Sequence, residues 1–160
     1  MKTARLIAIA ALAVTGWAVQ AKPAQQPAGP TPAQQVMLRQ AGMDMAATTL
    51  NLLKGASANG TPLKNLAFAS NGLAKWATAM PSLFGASTQG VPSRAKSEIW
   101  ANPADFAAKN AALVEATKAL ATAAAAEDAD GFASALASTG AACKGCHDSY
   151  QAPPPAKPAG

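Results

Sequence analysis

Apolar positions along this chain recur at spacings of three and four, in four blocks separated by glycine and proline clusters. The first block runs from about Ala33 to Lys54, repeats Val36, Met43 and Leu50 every seven residues, and stops at Gly55. The second follows Thr61-Pro62, a cap residue with proline at the first helical position. It carries Leu63, Leu66, Ser70, Leu73, Ala77 and Met80 and ends at Pro81. The third starts near Asn102-Pro103, with Phe106, Leu113 and Leu120 seven apart; the fourth follows Asp128-Ala129-Asp130-Gly131. There Phe132, Leu136, Thr139, Cys143 and Cys146 fall along one face. These stripes have the period of a helix, and none alternates as a strand does. Each block is long enough for a helix of about 28–39 Å at 1.5 Å per residue. Four such helices of similar length, joined by three connections of which one is long, predict an all-α fold, an antiparallel up-down-up-down four-helix bundle. The longest connection, Pro81 to Ala101, contains Phe84 and Trp100 and is expected to lie ordered against the bundle.

The ends read differently. Residues 1–21 have the form of a secretory signal peptide: Lys2 and Arg5, an apolar run from Leu6 to Val14, and the small-residue site Val19-Gln20-Ala21. The run is too short for the roughly 20 residues that span a bilayer, so no membrane anchor is expected after cleavage. Residues 22–32 form a proline-rich linker and residues 153–160 a proline-rich tail, which leaves 33–152 as the helical domain. Cleavage leaves 139 of 160 residues, enough for one domain with its own core. Loss of Lys2 and Arg5 lowers the formal charge from +5 to +3, and no Lys/Arg cluster argues for nucleic acid.

Chemistry concentrates in one pentapeptide, Cys143-Lys144-Gly145-Cys146-His147, which uses both cysteines and the sole histidine. Cys-x-x-Cys-His is the attachment signature of a c-type haem. The two thiols share one face of a helix and can each form a thioether with a haem vinyl, while His147 presents a nitrogen to the iron. One covalent haem c per chain is therefore expected, and its attachment outside the cytoplasm agrees with export to the periplasm. A structural zinc site wants four protein ligands, which this chain cannot supply. A thioredoxin-like motif would need a βαβ pattern that is not visible. With His147 committed to iron, no nucleophile–histidine arrangement remains, and the chain is not expected to be an enzyme. Only thirteen residues follow His147 and none is methionine, so a sixth ligand would have to come from Met37, Met43, Met45 or Met80.

Further segments carry a specific resemblance. They are Arg-Gln-x-x-Met on the first helix (Arg39, Gln40, Met43), Phe-Gly…Thr-Gln-Gly from Phe84 to Gly90, and Glu98-Ile99-Trp100. With Cys-Lys-x-Cys-His-Asp-x-Tyr at the end, residues 35–150 resemble cytochrome c prime, a family of four-helix haem bundles. The resemblance implies that Cys143 and Cys146 hold the haem and that His147 is its proximal ligand. It implies further that Arg39 pairs with a propionate, with Gln40 beside it, and that Thr88 and Gln89 lie at the haem periphery. Gln151 stands four residues after His147, where the family usually has Arg or Lys.

By the same resemblance, Met43, four residues after Arg39, is expected at the position that overhangs the distal face of the haem. If it only blocks that face, the protein is a high-spin five-coordinate cytochrome that binds small gases, nitric oxide and carbon monoxide, and exchanges electrons with an unidentified partner. If Met43 ligates iron, the protein is a low-spin six-coordinate electron carrier. Tyr150, Trp76 and Trp100 are expected as packed aromatics, and Lys144 as a solvated side chain. Leu38, Met45 and Leu52 form a second heptad stripe, nearly opposite the one that contains Met43. A bundle helix needs one apolar stripe for its own core. The second predicts a homodimer through the first helix, unless the loop from Pro81 to Ala101 covers it.

Overall fold

The computed structural model describes residues 29–156; the expected signal peptide, most of the linker and the last four residues of the tail lie outside them. Four long helices form the bundle: α1 (Pro32–Ala58), α2 (Leu63–Ala79), α4 (Pro103–Ala126) and α5 (Ala129–Tyr150). A single-turn helix α3 (Glu98–Ala101) and two 3-10 turns, Met80–Phe84 and Ala86–Thr88, occupy the long connection. Among the described residues no strand forms; only an isolated antiparallel bridge joins Ala95 to Gln151.

The ends of the helices follow local chemistry. Thr31 and Gln34 make a capping box, so α1 begins at Pro32, one residue inside the segment expected as linker. The stop expected at Gly55 does not occur, because one glycine within a helix costs only about 1 kcal/mol. The helix runs on until Gly60, whose φ of +73° allows the left-handed turn. There Gly60 N–H donates to Ser57 O and Thr61 N–H to Ala56 O, both at 3.0 Å, a Schellman ending. Thr61 is spent in that ending and does not cap α2; Pro62 holds the cap position without a side-chain bond. Asp128 caps α5, accepting from Gly131 N–H at 3.0 Å, so the helix starts at Ala129 and takes in Asp130 and Gly131, which were expected to precede it.

Packing is uneven, and the unevenness positions the site. The helix α4 packs closely along both α2 and α5, where Ala121, Ala123 and Ala124 let the backbones approach. By contrast α1 packs on α2 and hardly touches α5. The core divides into two clusters. One holds Leu50, Leu53, Leu66, Leu73, Leu120 and Phe132, and the other Met80, Ile99, Phe106 and Tyr150. Cys143 packs on the first cluster and Cys146 on the second, so the motif spans the gap between them. Buried Ser70, Thr117 and Thr139 each donate a hydroxyl proton to the carbonyl four residues earlier, at 2.8–2.9 Å. The long connection is ordered as expected: Trp100 Nε1 donates to Phe84 O at 2.9 Å, and Phe84 packs on Phe106 at 5.0 Å.

Candidate functional site

The gap between α1 and α5 opens into two adjoining cavities of about 350 and 220 Å³, within the usual range for ligand sites. Met43, Met80, Cys146 and His147 line both. The larger also meets Arg39, Gln40, Phe84, Ser93, Arg94, Phe106 and Gln151; the smaller meets Leu50, Leu73, Trp76, Thr117, Thr139 and Cys143. Helical spacing thus brings Cys143, Cys146 and His147 to one wall and Met43 and Leu50 of the α1 stripe to the other.

The cysteines are free, half-buried thiols. Burial pushes both thiols above the usual cysteine range, with Lys54 pulling Cys143 back and the neighbouring Cys143 raising Cys146 further. At neutral pH they are uncharged sulfurs, one turn apart on a shared face, the disposition that two thioethers require. His147 is held below the ordinary histidine range, first by burial of its ring and then by the charge of Arg94, with Asp148 opposing. A neutral imidazole is the form that ligates metal.

Arg39 supplies the second test of fit. It is only 3% exposed, yet its partners are all neutral. NH1 donates to Leu83 O at 3.3 Å and to Thr88 Oγ1 at 3.1 Å, NH2 donates to Ser93 Oγ at 2.9 Å, and the guanidinium covers Phe84 at 4.6 Å. Burial lowers its pKa, and no ion pair among the described residues involves it. A buried cation without a counter-ion is costly, so the wall is one that a carboxylate would complete. The donor set therefore fits haem c: Cys143 and Cys146 for the vinyls, His147 for iron, Arg39 for a propionate.

The other expected site residues divide. Gln40 is exposed on the cavity rim. Thr88 is fully buried but lies behind Arg39 rather than on the cavity, and Gln89 is exposed outside the lining. Of the four methionines, Met37 and Met45 point outward, 61% and 70% exposed, which leaves Met43 and Met80 facing the cavities. Met80, expected from sequence only as one of four possible sixth ligands, closes the α2 stripe and lines both cavities. Sequence reasoning missed Ser93 and Arg94, which no periodic pattern marks. Tyr150, Trp76 and Trp100 are packed aromatics as expected. Tyr150 meets Phe106 edge-on at 5.3 Å and donates its phenol proton to Asp105 Oδ2 at 2.5 Å, a bond that pushes its pKa up to about 12. Lys144 is exposed and pairs with Asp148 at 2.5 Å.

Comparison with known proteins agrees with this geometry. The sequence pattern of the family described as cytochrome c′ matches residues 34–151. A cytochrome c′ from Pararhodospirillum photometricum is 39% identical over 59 residues, which spans 37% of this chain and 47% of that protein. A solved cytochrome c′ with an unusual ligand-controlled dimer dissociation shares 30% identity with a TM-score of 0.73, over 79% of this chain and all of the other. The nitric oxide complex of a leucine-to-isoleucine mutant of cytochrome c prime from Alcaligenes xylosoxidans shares 27% identity with a TM-score of 0.70. That likeness covers 77% of this chain and 98% of the other. The chain belongs to the cytochrome c′ family, and the antiparallel four-helix bundle is its fold.

Proposed function

We propose that this member of the cytochrome c′ family is a periplasmic gas-binding cytochrome. In this reading one haem c is held by Cys143 and Cys146, its iron is ligated by His147, and its distal side is left open. The observation that carries the proposal is the character of the wall opposite His147. Met43, Leu50, Leu73, Trp76 and Ala77 make it apolar. The hydroxyls of Thr117 and Thr139, the alcohols on the same cavity, are both spent on their own helix carbonyls. Bound dioxygen gains from a hydrogen-bond donor; nitric oxide and carbon monoxide need none, so such a wall favours them. When bound, the haem supplies the redox-active iron and its open coordination position. The protein's residues fix the haem and exclude water, while Met43 limits the space above the iron. Binding and electron exchange, rather than catalysis, are the activities this set of residues supports.

The relatives support this reading, since a cytochrome c prime with nitric oxide bound shares the fold. Export rests on the signal-like residues 1–21. No described helix is long and apolar enough to cross a membrane. A homodimer through α1 is supported by Leu38, Met45 and Leu52, which are 48%, 70% and 56% exposed and are not covered by the long connection. Met37 and Phe68, 61% and 91% exposed, are further exposed apolar side chains, on α1 and α2. An exposed apolar stripe on a bundle helix marks a contact.

The second reading, a six-coordinate carrier, is favoured by two thioethers at the cavity, Met43 and Met80. Visible spectra of oxidised and reduced protein with and without carbon monoxide separate the two. A carbon monoxide shift supports the open site; a sulfur-to-iron band with no shift overturns it.

A further inference from the structure

We propose that Arg94 carries the positive charge that sets the electrostatics on the His147 side of the cavity, delivered from the long connection rather than from α5. The proposal rests on the reading of the cavity as a haem site.

Its basis is placement. Arg94, Gln151 and His147 line the same cavity. Although Gln151 lies on the end of α5, one turn beyond His147, it is neutral. Arg94 comes from sequence more than fifty residues earlier and is fixed against that end by backbone pairing. Its carbonyl accepts from Ala152 N–H at 2.7 Å and its Nε donates to Ala152 O at 2.7 Å. On the same short ladder Ala95 bridges Gln151, and Lys96 N–H donates to Tyr150 O at 3.0 Å. The side chain is therefore anchored at its root and again at Nε.

The charge is also uncancelled. Among the described residues no carboxylate lies within ion-pair distance of Arg94. Asp148, the acid next to His147, is already paired with Lys144, and its carbonyl accepts from Lys96 Nζ at 3.2 Å. Metal-ligating histidines usually face a carboxylate or carbonyl that raises their basicity. Here the anchored cation of Arg94 and the neutral amide of Gln151 line the cavity together with His147. A cation near iron disfavours the more positive oxidation state, and because Arg94 stands exposed at the cavity edge, added salt screens part of the effect. Arg94 accordingly raises the reduction potential of the bound haem.

A merely structural clamp makes a different prediction, which allows a clean test on the full holoprotein. Redox titration is run on wild type, Arg94→Gln, Arg94→Lys and the double variant Arg94→Gln/Gln151→Arg, with covalent haem per chain and the thermal midpoint measured alongside. The expected result is a lower potential in R94Q, more so at low salt, and a near-wild-type potential in R94K. Restored potential is expected in the double variant, which moves the charge to the other residue lining that side. Because the double variant lacks the Nε bond to Ala152, a clamp would not be rescued. A fully haem-loaded R94Q at unchanged potential, or a loss that Q151R leaves unrepaired, overturns the inference alone. A wild-type chain without covalent haem overturns the underlying reading and this inference with it.

Discussion

A Cβ atom placed on Gly42 would stand only 2.1 Å from the indole ring of Trp76. Gly42 precedes Met43, so the ring of an α2 residue rests on the α1 backbone at the level of the cavity. A glycine within a helix is unfavourable by about 1 kcal/mol relative to alanine, and this one is explained by the absence of room for a methyl group. Gly42→Ala is expected to lower stability by about 1–3 kcal/mol through overpacking, despite its better helix propensity. Denaturant unfolding followed by tryptophan fluorescence checks this, and an alanine variant as stable as wild type would contradict the contact.

Arg39 is expected to be intolerant of its nearest substitute. Arg39→Lys keeps the charge but replaces a planar fork that reaches Leu83, Thr88 and Ser93 together. Loss of hydrogen bonds from a charged group costs about 1.5–3 kcal/mol. The variant should show a drop of that order in unfolding free energy and a looser connection by hydrogen exchange at 83–93.

Tyr150 is the sole tyrosine, so its ionisation can be read directly from absorbance. Its phenol should titrate near pH 12 because Asp105 accepts its proton in the neutral form. The folded pKa lies above the ordinary value of 10, so the bond's contribution to stability is present below pH 10. It is lost as pH rises through about 12. Asp105→Asn should move the midpoint back toward 10; an unmoved midpoint would show that burial alone is responsible.

The exposed face of α1 predicts its own assay. Met45→Glu with Leu52→Glu should give a monomer by sedimentation while leaving the haem spectrum intact, since both side chains point away from the cavity. A variant that stays dimeric refutes this interface.

Much of this was legible in the sequence, and the divide follows physics. Val36, Leu50, Leu66, Leu73, Phe106, Leu120 and Phe132 are buried where their heptad and three-four spacings place them, because periodicity reports a face directly. The motif at 143–147 stood out in the sequence because Cys-x-x-Cys-His is a haem-attachment spacing, and the structure places Cys143, Cys146 and His147 at the cavities. Helix ends were less so: Gly55 and Thr61 both suggested boundaries that a Schellman turn at Gly60 shifted. The partners of Arg39 and the approach of Arg94 to Ala152 depend on the path of an irregular connection. No local pattern encodes that path. Phe68 escaped notice because a lone apolar residue off the stripe carries no periodic signal.

In the proposed function the iron position above His147 is open, bounded by Met43 without being ligated by it. Visible absorption of the reduced holoprotein before and after carbon monoxide tests this most directly. An open site gives a five-coordinate spectrum that shifts on carbon monoxide addition, and no sulfur-to-iron band at the red end of the oxidised spectrum. A spectrum unmoved by carbon monoxide, with that band present, would contradict it.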